Sequence, residues 1–322
     1  MESILITGGA GFIGSHVARS LAEAGQRVVV VDNFNDYYDP AIKYANVQPL
    51  EASPHATVIK ADVRDFDAMM RVITEHHVRR ILHLAALANV RASIEMGPVY
   101  TEVNTLGTVN VLEAARRNGV ELVVCASTSS VYGDDTPVPF AETAAADHPL
   151  APYPASKRAA ELMAHSYHHL FDLPVTILRF FNVYGPNGRP DMMPLRVLEA
   201  IVSGAPITLY NGGRMRRDWT YIEDTVAGVK AALERPMGYE VINLGCGAPV
   251  EMTEFIEIME ELTGRRAVIE DVPAPPSDPP ITYCDNSKAR RLLDFNPQVT
   301  LPEGLARTWE WFREAKLSGD DA

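Results

Sequence analysis

Tyr153 and Lys157 stand four residues apart in YPASK, so on a helix both side chains project from one face. A phenol with an ordinary pKa of about 10 is a poor base at neutral pH. A neighbouring ammonium favours the phenolate and brings that value down, as the positive ring of a nicotinamide would. Upstream, STSSVYG (127–133) follows an apolar run and offers several hydroxyls in a row. Those hydroxyls suit an alcohol that is losing its proton. Taken alone, Tyr-x-x-x-Lys is a common spacing, and a Ser/Thr-rich loop without chemistry is the competing reading. Pro154 fits a helix's first turn, where no N–H is needed.

The hydride acceptor that such a base requires is written into TGGAGFIG (7–14). Gly8, Gly11 and Gly14 follow an apolar strand pattern and open a helical one, with Phe12 and Ile13 between the last two. Glycines there permit a tight turn and let a pyrophosphate approach the backbone at a helix N-terminus. The next strand ends in Asp32, an acid placed to accept both ribose hydroxyls of NAD and to repel the 2′-phosphate of NADP. Asn33 and Asn35 follow it. Asp62 and Val63 close a third strand pattern, and Leu84, Ala85 and Ala86 a fourth, at positions suited to an adenine. Ser127 ends the fifth. Lys43 is a candidate phosphate contact, with a plain surface lysine as the alternative.

Positioning these groups falls to alternating elements. Strand patterns at 3–7, 27–32, 57–62, 80–85, 121–127 and 174–180 are separated by helical spacing at 11–25, 65–77, 98–118 and 154–171. Continuous β-branched runs between helices predict a Rossmann-type, doubly wound parallel sheet covered on both faces, an α/β fold. Residues 1–180 read as the NAD-binding domain, and 181–322 mainly as a smaller C-terminal α/β substrate-binding lobe. EVINLG (240–245) reads as a strand returning to the sheet, and VPAPPSDPP (272–280) as a fixed loop.

Composition excludes several classes. The 322 residues are 47% apolar and 22% charged, as a packed globular chain requires. A net charge of −13 argues against a broad basic face for nucleic acid. Three cysteines without CxxC spacing argue against a disulfide framework or zinc. His165, His168 and His169 share a helix face, yet no carboxylate partner is evident, so no metal is expected. MESILITGG enters a strand at once, leaving no room for a signal peptide, and no apolar run approaches the roughly 20 residues of a membrane helix. A soluble, cytoplasmic protein is expected.

Together TGGAGFIG, HLAA (83–86), STSSVYG, YPASK, RFFNVYGP (179–186) and RDWTYIEDT (217–225) resemble the extended short-chain dehydrogenase/reductase family, specifically its nucleotide-sugar epimerases and dehydratases. The resemblance implies an NAD that is not consumed, Tyr153 as the base, Thr128 as its hydroxyl partner, and Lys157 as the group that orients the nicotinamide ribose. It also implies a nucleoside diphosphate held by Asn182, Arg217 and Asp278, with the backbone near Tyr210 facing the base, and a homodimer paired through the helices at 98–118 and 154–171.

VDNFNDYYDPAIK (31–43) and VYGPNGRPDM (183–192) are similar to the branch that epimerises UDP-glucuronate at C4 to UDP-galacturonate. Arg189, in a loop stiffened by prolines, is then expected to recognise or steer the sugar carboxylate with Ser129 and Ser130, Arg91 being a weaker candidate. A salt bridge from Arg189 to Asp191 is the plainer alternative. Oxidation at C4 makes a β-keto acid, which loses carbon dioxide easily. The family's decarboxylases carry an acid in the STSS position and its dehydratases an Asp-Glu pair, whereas this chain has Ser129 and Ser130. Asn182 stands where the glucuronate branch usually has Thr. It is the residue of UDP-glucose and UDP-N-acetylglucosamine 4-epimerases, which keeps those substrates open.

Overall fold

The computed structural model describes residues 2–317. Strands β1 (Ser3–Thr7), β2 (Val28–Asp32), β3 (Ala56–Lys60), β4 (Val78–His83), β5 (Leu122–Thr128) and β6 (Val175–Phe180) fall on the predicted runs. Next come β7 (Asn182–Tyr184), β8 (Pro206–Tyr210), β9 (Arg216–Tyr221), β10 (Tyr239–Leu244), β11 (Pro249–Glu251), β12 (Val268–Val272) and β13 (Ile281–Thr282). Seven strands form one parallel sheet in the order β10-β6-β5-β4-β1-β2-β3. The chain winds outward from β1 to β3, then crosses over to β4 and winds the other way. The crevice between β1 and β4, at the strands' carboxyl ends, is where such sheets take ligands.

Alternation of side chains across each strand splits the core in two. Ile4, Ile6, Val28 and Val30 face one apolar layer, Leu5, Val29 and Val31 the other. The first layer continues without a break into Trp219, Phe255 and Leu305 of the C-terminal half. There β9 pairs with β7, β11 and β13, and β8 with β12.

Two local features depart from the sequence reading. A helix spans Pro40–Glu51, started by Pro40 behind Asp39, whose side chain accepts from the Ala41 N–H at 2.9 Å. The helical stretch predicted at 98–118 is three pieces: α at Gly97–Tyr100, π at Thr101–Leu106 and α at Gly107–Arg117. No helix among the described residues is long and apolar enough to cross a membrane.

The first turn leaves no space for side chains. Gly8 has φ +67°, and a Cβ on Gly14 would sit 2.5 Å from the Gly8 carbonyl oxygen and 2.7 Å from the Gly9 Cα. Both obstacles are backbone, so Gly14→Ala forces the helix off the strand. We expect a cost of about 1–3 kcal/mol, read as a lower urea midpoint with an unchanged slope.

Candidate active site

The carboxyl ends of β1 to β6 surround a cavity of about 430 Å³, within the range of small-molecule sites. Every residue assigned to the cofactor from the sequence lies on its wall: Gly8, Gly11, Phe12, Ile13, Gly14, Asp32, Asn33, Asn35, Lys43, Asp62, Val63, Leu84, Ala85, Ala86, Ser127, Tyr153 and Lys157. Of those assigned to the substrate, Thr128, Ser130, Asn182 and Arg189 are on the same wall.

The wall's chemistry suits a dinucleotide. The helix Phe12–Glu23 begins at Gly11 with no side-chain cap, so its first N–H groups face the cavity for a phosphate to meet. The Asp32 carboxylate is oriented by the Ala10 and Phe34 N–H groups at 3.2 and 2.9 Å. Asp62 accepts from Asn33 and forms a fork with Arg64, and that guanidinium chiefly holds its carboxyl down at about 2. Lys43 is buried and donates to the Asn35 backbone and side-chain oxygens, so it braces the Asp32–Asn35 turn.

At the far end stand Tyr153, Lys157 and Thr128. The helix Pro152–Phe171 presents the first two one turn apart. Lys157 is 2% exposed. Burial holds its ammonium down at about 8, with Cys125 and Glu161 opposing. Among the described residues no protein acceptor bonds this ammonium, which leaves its donors for a ligand. Burial raises the Tyr153 phenol, while the Thr128 hydroxyl and then the Arg189 guanidinium pull it back. The sequence reading assigned that pull to Lys157 and a nicotinamide ring; here the Thr128 hydroxyl comes first and the Arg189 charge second.

Arg189 does make the salt bridge to Asp191. Its Nε donates to Oδ1 at 2.9 Å, and Nη2 donates to the Ala88 carbonyl at 3.0 Å. Asp191 also accepts from the Tyr37 hydroxyl and the Asn89 amide, both at 3.2 Å. The loop is therefore fastened to two others, and Arg189 still contributes to the cavity wall.

Five assigned residues lie off this wall. Ser129 is buried. Arg91, Tyr210, Arg217 and Asp278 form a separate cluster. Arg91 pairs with Asp278 at 2.7 Å and lies 4.7 Å over the Tyr210 ring, while Arg217 donates to the Arg216 carbonyl. In the chain Arg91 adjoins Val90 and Arg217 is two residues from Trp219, both of which are on the wall. No group of His, Cys, Asp and Glu among the described residues could hold a metal ion.

The sequence reading missed Tyr37, Tyr38, Met192, Met193 and Trp219, all on the wall. All but Met193 sit inside segments already singled out, and Met193 directly follows one, but nothing in their types distinguishes a wall residue from a packed one. It also missed His83, fully buried with Thr7 Oγ1 at 2.7 Å and Thr108 Oγ1 at 3.0 Å from its ring nitrogens. Burial, aided by the Lys157 charge, holds that imidazole down at about 3, so it is neutral.

Residues 4–245 match the NAD dependent epimerase/dehydratase family. The UDP-glucuronate 4-epimerase of Thermodesulfobacterium geofontis is 42% identical over 315 residues, covering 98% of this chain and 97% of that protein. The Bacillus cereus UDP-glucuronic acid 4-epimerase, solved with UDP-glucuronic acid and NAD, superimposes with a TM-score of 0.91. It is 34% identical and covers 98% of this chain and 100% of that one. The Thermotoga maritima UDP-glucose 4-epimerase, solved with UDP-glucose, gives a TM-score of 0.88 at 31% identity, covering 98% and 99% of the two chains.

The buried ammonium can be observed directly. In NMR spectra of lysine-labelled protein, one ε-methylene resonance should titrate near about 8 rather than at the usual 10.5, and Lys157→Met should remove it. If all the lysines titrate together above about 10, Lys157 is solvated and the cavity floor is misdescribed.

Proposed function

This chain belongs to the NAD-dependent epimerase/dehydratase family, and from that premise we propose that it is a UDP-glucuronate 4-epimerase that gives UDP-galacturonate. The observation that carries the reading is its end-to-end similarity to enzymes of that activity, joined to a cavity wall holding Thr128, Tyr153 and Lys157 at one end and Asp32 at the other.

Bound NAD would supply a reversible hydride acceptor for C4 of the sugar. The chain's own residues do the rest. Tyr153 takes the C4 hydroxyl proton and later gives it back, with the Thr128 hydroxyl and the Arg189 guanidinium both favouring its phenolate. Thr128 hydrogen-bonds the same oxygen. Lys157, one helical turn from Tyr153, holds the nicotinamide ribose. Arg189, with Ser130, meets the carboxylate while Asp191 fixes the direction of the guanidinium. Asn182 lies on the same wall. Arg217 and Tyr210, in the cluster with Arg91 and Asp278, take the diphosphate and the base.

The wall's Thr128 and Ser130 offer neutral hydroxyls where an acid would assist decarboxylation or dehydration. Free Cys125, Cys246 and Cys284 suit a reducing cytoplasm, where UDP-sugars and NAD are found.

Val99, Leu106 and Leu162 are exposed apolar residues on the segments Gly97–Arg117 and Pro152–Phe171, which touch each other. Such a face supports a homodimer built on these helices. Leu106→Arg with Leu162→Arg should sediment as a monomer; an unaltered sedimentation coefficient would place the interface elsewhere.

Incubation with UDP-glucuronate should yield UDP-galacturonate, with deuterium placed at C4 retained in the product. Tyr153→Phe should abolish turnover and leave NAD bound. Conversion of UDP-glucose alone would overturn the carboxylate assignment, release of a pentose would make the protein a decarboxylase, and deuterium lost to solvent would refute the returned hydride.

A further inference from the structure

Beneath the cavity, outside its wall, lies an ion pair that the reaction does not call for. Glu161 is 1% exposed and Arg179 is 2% exposed. Glu161 follows Lys157 by one helical turn and Tyr153 by two, so all three share a face of the helix Pro152–Phe171. Its carboxylate is fully engaged. Arg179 donates Nε to Oε1 at 2.9 Å and Nη2 to Oε2 at 2.6 Å, a bidentate fork. Ser127 Oγ donates to Oε1, and Arg158 Nη1 to Oε2 at 3.0 Å.

The points of attachment are specific. Ser127 and Arg179 are registered partners on β5 and β6, so one carboxylate grips two adjacent strands at the same level. Ser127 is on the cavity wall and precedes Thr128. The Arg179 guanidinium lies 4.8 Å from the centre of the Tyr132 ring, and the Tyr132 hydroxyl donates to Asn243 of β10 at 2.7 Å.

Stability does not explain such a pair. Desolvating two charges costs several kcal/mol per ion, and packed apolar residues of equal volume commonly do as well. An apolar contact, however, lets a helix slide, whereas a planar fork fixes distance and direction. We propose that Glu161 and Arg179 are positioning residues that set the height of Tyr153 and Lys157 against Thr128 at the end of β5. This rests on the reading of Tyr153 as the base. The pair touches neither sugar nor cofactor; it acts through the helix and through Ser127.

Three variants test it beside Tyr153→Phe: Ser127→Ala, Glu161→Gln, and the paired replacement Glu161→Leu with Arg179→Met. The paired variant removes both charges together and should melt within a few degrees of the wild type. Its kcat should fall about a hundredfold, the scale of an ångström's misplacement, with KM for the sugar nucleotide and retained NAD unchanged. Ser127→Ala should lose about tenfold in kcat in the same pattern. Glu161→Gln leaves Arg179 buried without its counter-charge and should both melt earlier and turn over slowly.

A folded paired variant with kcat within twofold of wild type overturns the proposal. If the paired variant does not fold, Ser127→Ala decides, because it deletes one hydroxyl and no charge: unchanged kcat, or a loss that follows lost NAD, refutes the positioning role. Wild-type turnover that survives in Tyr153→Phe would instead refute the reading of the base, a separate failure.

Discussion

Charge placed out of water is the constraint around which this structure is organised. A proton must leave and return at the foot of a cleft whose ammonium is 2% exposed, and every charge near it has to be matched or suppressed. The fold does both. Glu161 answers Arg179 and Arg158, and Asp191 answers Arg189. His83, caught between Thr7 and Thr108, stays neutral. Lys157 is the exception. Its charge has no hydrogen-bonded counterpart in the protein among the described residues, and a bound ligand is its natural partner.

This arrangement follows from strand order. Because the chain leaves β1 in both directions, the ends of β1, β2 and β3 gather one set of residues around the crevice and those of β4, β5 and β6 another. Glycines and Asp32 come from the first set, hydroxyls from the second. The helix carrying Tyr153 and Lys157 lies between β5 and β6 in the chain, so its register against those strands decides whether the phenol meets Thr128.

Much of this could be read from the chain, for identifiable reasons. Uninterrupted runs such as VVVVD and LVVCAS name buried parallel strands whatever surrounds them. The glycine turn and the acid closing β2 are constrained by local backbone geometry, and local geometry is what a sequence records best. What could not be read depends on distant contacts. Arg179 lies inside the buried run VTILRF, a signal that a partner must exist, yet the partner stands eighteen residues upstream on a helix face that otherwise reads as mixed. Arg189 illustrates the same limit: one residue makes a local bridge to Asp191 and also acts electrostatically on Tyr153, and only the second requires the fold.

In the proposed reaction the Arg189–Asp191 pair bears on how an anionic sugar is handled. A free guanidinium facing a carboxylate would bind it hard and in a single pose, but the ketone has to turn over while held. Pairing with Asp191 brings the local charge near zero and leaves a directed dipole, which attracts a carboxylate less strongly than a bare cation does. Loss of carbon dioxide requires the C–C bond to align with the ketone's π system. In that proposal, neutral hydroxyls from Thr128 and Ser130 bond the carboxylate or ketone in more than one orientation and place no further negative charge beside it. A wall with this balance tolerates rotation and gives decarboxylation no added push.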